Sequence, residues 1–422
     1  MNKSNNLIII GSGVGCCCFL INFIKYNKKF TKDYNILIIE KGEKYTKKES
    51  ILNKDLIYNS IFKEINKNNE AYSEGGYSAY HDKGLIYYKN KYKNLIYENL
   101  EINNNNFPFT LCKKNNNKYE IKRLYYYLKD ILIKFNNIKI IYNCEVLNII
   151  INNKNKAIGV EVNINNNLLT FKSKDVLLCS GTLNTYKILK KTIIKYDNLN
   201  FINEKIGKSI FFNRNLLFLN ISINNRYNHD SIIIKKKYTI QKTMQMFSKY
   251  FIYKDDNFLN FIKNDLKYIL TVIFIYLIII LNKIKKLSIK IITIFFITII
   301  IILLIIILLK EHINIYNVLI KEKLNKNNSI IYNNNKLYLY HENKNINKKL
   351  IKNIEKENNV IYIMEYKPLP YLQGGFTNLV NKNCKFDFID NLYICDSSIL
   401  KPSKFNPIGQ IFIKSMFCAK NI

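Results

Sequence analysis

Leu7 to Ile10 is an unbroken apolar run, the pattern of a strand buried on both faces of a parallel sheet. Three glycines follow at once, Gly11, Gly13 and Gly15, and then a mostly apolar segment from Cys16 to Tyr26 that predicts a helix. A second apolar strand, Asn35 to Ile39, ends in Glu40. The next stretch, 41–120, is polar, broken by the small-residue turn around Gly75 and Gly76 and by the loop Asn103 to Asn106. Helical spacing returns over Ile121 to Phe135. Strands are predicted at Ile138 to Tyr142, Val146 to Ile151 and Ala157 to Val162, separated by Asn/Lys turns. A short apolar strand, Asp175 to Ser180, is ended by Gly181, and Leu183 to Leu189 reads as helix. Further on, Lys336 to Tyr340 and Val360 to Met364 predict strands, Asn347 to Asn358 an amphipathic helix, and Asn391 to Ile422 a strand, a Pro-bearing loop and a helix.

The first forty residues therefore predict a βαβ unit with a phosphate loop. Gly11 allows the tight turn out of the strand, and Gly13 lets backbone approach a pyrophosphate. The helix N-terminus offers N–H groups and a partial positive charge. Glu40, closing the second strand, is placed to accept ribose hydroxyls. The usual third glycine would stand at position 16, where this chain has Cys16. A dinucleotide is the expected ligand, and the loop alone does not choose between FAD and NAD.

Two segments differ in kind. Residues 291–309 form an apolar run of 19 residues, interrupted only by threonine, near the ~20 needed to cross a bilayer. Residues 268–281 form a shorter run of 14, and Lys283, Lys285, Lys286 and Lys290 lie between the two. They predict a membrane anchor, a dipping hairpin or a tight two-span hairpin, with the dinucleotide domain on the cytosolic side. The formal net charge of +34 changes little. It is carried by lysine spread along the chain, with Arg123, Arg214 and Arg226 the only arginines, and no nucleic-acid reading motif accompanies it. Nine cysteines show no CxxC or Cys/His metal spacing, and read as small buried hydrophobes in a reducing compartment. No metal is expected, and no cleavable leader precedes the phosphate loop.

Three further segments, with the first, resemble the glucose–methanol–choline (GMC) family of FAD-dependent oxidoreductases. NLYICDSSILKPSKFNPIGQIFIKSMFCAKNI, from Asn391, is similar to the family's closing strand, Asp-x-Ser, Pro loop, Asn-Pro and final helix. KAIGVEV and KDVLLCSGTLNTYKIL, within 156–189, resemble its hairpin and the return to the flavin domain. IGKSIFFN, from Ile206 to Asn213, resembles its Val-Gly-x-Asn-Leu-x-Asp-His segment. The resemblance implies an α/β protein: a Rossmann-like FAD-binding domain (1–220 and 391–422) with a smaller α+β substrate domain (221–390) that contains the inserted hydrophobic helical hairpin. It implies that Gly11, Gly13 and Gly15 hold the FAD pyrophosphate, Glu40 the ribose, and backbone at Val146 the adenine. Gly181 belongs to the same set. Asp396 would meet the ribityl–pyrophosphate region, Pro407 would lie near the flavin ring, and Gly75 and Gly76 would match a turn beside it. His81 falls where that turn usually carries Asn.

The family's catalytic residues are a His in a His-x-x-Gly-Gly-like segment and a His or Asn before the final Pro. This chain reads PYLQGGF, with Tyr371 at the first position, and Asn406 at the second. The remaining histidines His229, His312 and His341 lie in polar stretches and are expected at the surface. The implied activity is oxidation of a CH–OH group by hydride transfer to FAD, on a small-molecule alcohol of long-chain or lipid-like type given a membrane position. Tyrosine, with a reference pKa of about 10, is a poor base at neutral pH, which together with Cys16 and the 41–120 stretch motivates one alternative, an FAD-binding protein with lost or altered chemistry; a second, of another class, is a membrane-anchored scaffold whose fold survives without cofactor.

Overall fold

The computed structural model describes residues 5–27, 31–44, 56–58, 112–115, 118–121, 124–212, 214–221, 232–234, 238–242, 313–320, 324–341, 350–354, 362–366, 372–403 and 407–422. In chain order, the elements around the site are β1 (Asn5–Ile10), α1 (Val14–Tyr26), β2 (Ile36–Ile39), α2 (Leu124–Lys134), β3 (Ile138–Ile141), β4 (Cys144–Ile151), β5 (Ala157–Ile164), β6 (Asn167–Leu178), α3 (Gly181–Lys195), β7 (Lys208–Phe212), β8 (Leu372–Gly375), β9 (Leu392–Ile394) and α4 (Pro407–Asn421).

The central sheet runs β3-β2-β1-β6-β5-β4, with β9 also paired to β6. Its β3, β2, β1, β6 and β9 pairings are all parallel. The apolar runs at Leu7–Ile10, Ile36–Ile39, Val176–Leu178 and Leu392–Ile394 are buried throughout, as strands covered on both faces must be. Strand β6 does two jobs. Its second half lies between β1 and β9, and its first half continues outward as an antiparallel partner of β5, which pairs with β4. The predicted strand at Asp175 is thus the end of a 12-residue strand. The earlier half, NLLTFKSK, is mostly exposed and lacks the continuous apolar pattern of the later half.

Helix α1 is covered by α4. Asn22 Nδ2 donates to Ser415 Oγ (2.9 Å) and Asn27 Nδ2 to the Ala419 carbonyl (2.7 Å), tying residues almost 400 positions apart. A second sheet joins β8, β7, the hairpin Ser329–Asn333 with Lys336–Tyr340, and strand Leu56–Tyr58. A third consists of Ile232–Ile234, Tyr238–Lys242, Ile313–Ile320, Arg214–Ile221 and Tyr362–Tyr366.

His341 corrects the surface expectation: it is buried at the end of strand Lys336–Tyr340. The two apolar runs at 268–281 and 291–309, the expected hairpin, lie outside the described residues. Among the described residues no helix is long and apolar enough to cross a membrane.

Candidate active site

Strands β1, β2, β6 and β9 all end on one edge of the parallel sheet. Helix α1 joins β1 to its neighbour β2, while α3, which follows β6, packs against β4 on the opposite flank of β1, where Ile149 N–H donates to Thr192 Oγ1 (3.0 Å); the β1/β6 boundary is therefore where the connections diverge, the kind of place at which α/β sheets bind ligands. Gly11 turns with φ of +87°, and a Cβ there would lie 2.8 Å from the Cys179 carbonyl oxygen and the Ser180 Cα. Glycine is therefore required by both conformation and space. Gly13 precedes α1 and is open: a Cβ would meet only the Cys179 carbonyl oxygen, at 4.0 Å. Gly181, at the start of α3, would have nothing within 4 Å of a Cβ. Gly15 behaves differently. A Cβ there would fall 2.1 Å from the Cys395 carbonyl oxygen, so this glycine lets α1 pack against the end of β9. It takes over the packing role expected at position 16, where Cys16 is simply buried.

Two buried carboxylates hold the edge together. Glu40 Oε2 accepts the Ser12 N–H (2.9 Å) and hydroxyl (2.6 Å), and Oε1 accepts the Gly42 N–H (2.9 Å). Burial pushes its pKa above the ordinary 4.5, against the pull of these hydrogen bonds. The Glu40 carbonyl accepts the Cys144 N–H (3.0 Å), which brings the start of β4, and hence Val146, beside the end of β2. The strand is bulged between Val146 and Asn148. Glu145 bridges Lys41 (3.1 Å) and Lys187 (3.6 Å). Burial raises its pKa, but the two ammonium charges and the Lys41 hydrogen bond outweigh that and leave it lowered.

Asp396 follows β9. Its Oδ1 accepts the Ser398 N–H (2.9 Å) and hydroxyl (2.6 Å), and its Oδ2 accepts the Gly181 N–H (3.0 Å) and the Thr185 hydroxyl (2.6 Å). Burial again raises the pKa and the hydrogen bonds oppose it. The carboxylate thus sits on the positive end of α3. Thr182 donates to the Leu372 carbonyl (2.9 Å) and lies 2.9 Å from Ser397 Oγ, so α3 also fixes the strand that follows position 371. Ser12, Thr182 and Thr185 were not singled out from the sequence, and Ser398 entered only as the Ser of the Asp-x-Ser pattern. Their neighbours Gly13, Gly181 and Asp396 were singled out, and small hydroxyl residues flanking such positions are the available signal.

The structure therefore brings together Gly11, Gly13, Gly15, Glu40, Val146, Gly181 and Asp396. Pro407 begins α4 and is buried. Gly75, Gly76, His81, Tyr371 and Asn406 lie outside the described residues. Residues 95–212 match the GMC oxidoreductase family model. The fold matches pyridoxine 4-oxidase from Mesorbium loti, with a TM-score of 0.58 at 9% identity, covering 99% of this chain and 98% of that one. It also matches formate oxidase, with a TM-score of 0.56 at 10% identity and the same coverage. Residues 95–212 are thus similar to the GMC oxidoreductase family, and the fold as a whole is shared with these two flavoenzymes. No curated protein sequence matches the chain.

Proposed function

We propose that this protein holds FAD across the β1/β6 edge and oxidises a CH–OH group of a small-molecule alcohol. The observation that carries the reading is the open space at Gly13 and Gly181, where two helix N-termini face the crevice between buried Glu40 and Asp396. A bulky anionic dinucleotide fits there, because side chains are missing where a pyrophosphate must approach backbone. In this reading Gly11 shapes the loop and Gly13 admits the pyrophosphate. Glu40 meets the adenosine ribose, backbone at Val146 the adenine, and Asp396 the ribityl end, with Pro407 near the ring. When bound, FAD supplies the hydride acceptor. The chain itself supplies position and proton transfer: Thr182 anchors the strand after Tyr371, and Tyr371 and Asn406 occupy the family's acid–base positions. Because the reference pKa of tyrosine is about 10, a role for Tyr371 as base predicts activity that rises toward alkaline pH.

Tyr371 also favours a second reading, an FAD-binding protein without alcohol oxidation. The apolar run at 291–309 favours a membrane location and a long-chain or lipid-like substrate. An absorbance spectrum of the purified protein, before and after adding alcohols, is the test. A flavin spectrum bleached by an alcohol supports the oxidoreductase, and a flavin spectrum inert to every alcohol at alkaline pH supports the second reading. A colourless protein that takes up no FAD overturns both.

A further inference from the structure

Cys384, Cys395 and Cys418 come from three separate elements: the turn before β9, the end of β9, and α4. All three are buried, and their sulfurs lie within 4.8 Å of one another. None is in a disulfide. Cys384 sits at φ of +66°, in the left-handed region. Of the nine described non-glycine residues with positive φ, seven are asparagine, the residue this chain uses where such a turn is needed. A cysteine there accepts backbone strain, which focuses interest on its side chain. Around it, Asn381 binds the Asn383 and Lys385 N–H groups through its side chain and so fixes the turn. The Cys384 thiol donates to the Lys414 carbonyl (3.4 Å).

We propose that Cys384, Cys395 and Cys418 form a thiolate site for a thiophilic divalent cation of the zinc class. Three mutually close sulfurs, with the Lys414 carbonyl oxygen 3.4 Å from Cys384 Sγ, supply donors of the kind a tetrahedral ion with no redox role of its own takes. Binding converts three thiols and one cation into a tris-thiolate complex and releases up to three protons. The complex carries one negative charge, which Lys414 offsets. The site lies behind the flavin edge, since Cys395 directly precedes Asp396, yet it needs no flavin to form.

The probe is cadmium alone, titrated into the reduced, chelator-stripped full chain. The expected result is an ultraviolet thiolate-to-cadmium charge-transfer band that saturates near one ion per chain, with proton release and a raised melting temperature. Cys384→Ser, Cys395→Ser and Cys418→Ser should each remove the band, while Cys144→Ala keeps it. A band unaffected by the three serine variants overturns the site. Should those variants fail to fold, the wild type still decides: no saturable band, or a titration without proton release, overturns it. Because cadmium binding is read without FAD, failure here is separable from failure of the flavin reading.

Discussion

Two helices point their N-termini at the same sheet edge and are finished in opposite ways. Helix α1 begins after Gly13 with no side-chain cap and no acidic residue in its first turn. Helix α3 begins at Gly181, whose N–H is taken by Asp396, with Thr185 one turn on bound to the same oxygen. A helix N-terminus carries about half a positive charge. At α3 the protein supplies the anion, and at α1 no side chain of the protein caps the helix. The same contrast recurs between neighbouring glycines. Gly15 is glycine because protein backbone presses on it, and Gly13 is glycine where nothing in the protein does.

The strongest way to break this comparison is Gly15→Val. With the Cys395 carbonyl oxygen 2.1 Å from even a Cβ, α1 must lift from β9. A loss of about 3 kcal/mol in urea unfolding of the cofactor-free protein is expected; stability equal to wild type would refute the packing role. Asp396→Ala comes next. It strips partners from Gly181, Thr185 and Ser398 and should cost about 2 kcal/mol. Gly13→Val sharpens the contrast: stability of the cofactor-free protein should stay within about 0.5 kcal/mol, while retained FAD falls to background. If flavin content is unchanged, the anion does not sit at α1.

The smallest expected effect is on pH dependence. Glu40 and Asp396 have raised pKa values in the folded chain, so on acidification they bind protons before the unfolded chain does. Their contribution to stability therefore falls as pH rises from the ordinary carboxylate values of 4.5 and 3.8 through the raised folded ones. The cofactor-free wild type should gain melting temperature relative to Glu40→Gln as pH is lowered from neutral toward 4.5. A pH-independent difference would show that the Ser12 and Gly42 hydrogen bonds fully compensate burial.

How legible this was in the sequence follows from the same split. Leu7–Ile10, Ile36–Ile39 and Leu392–Ile394 are buried on both faces, so their apolar runs announced them. The early half of β6 is exposed and paired on a meander, and its pattern shows neither burial nor alternation. Gly11, Gly13, Glu40 and Asp396 could be singled out from the sequence because each closes or follows a recognisable strand, whereas the binding roles given to them belong to the proposed function. The contact of Gly15 with Cys395 and the meeting of Cys384, Cys395 and Cys418 could not be read there, because they join residues from elements distant in the chain that only the tertiary fold brings together. His341 read as a surface residue from its polar neighbours, and burial at a strand end is invisible to local composition.

The bonds from Asn22 and Asn27 to α4 set a timetable for biosynthesis. Asn27 and Ala419 are 392 positions apart. At about 5–20 residues per second, roughly 20 to 80 s separate their emergence from the ribosome. Throughout that interval the apolar face of α1, with Phe19 and Phe23 stacked upon it, lacks its cover, and β6 lacks β9 on one side. The nascent chain is thus a natural client for chaperones, and a chain stopped before residue 392 has no Asp396 to complete the crevice.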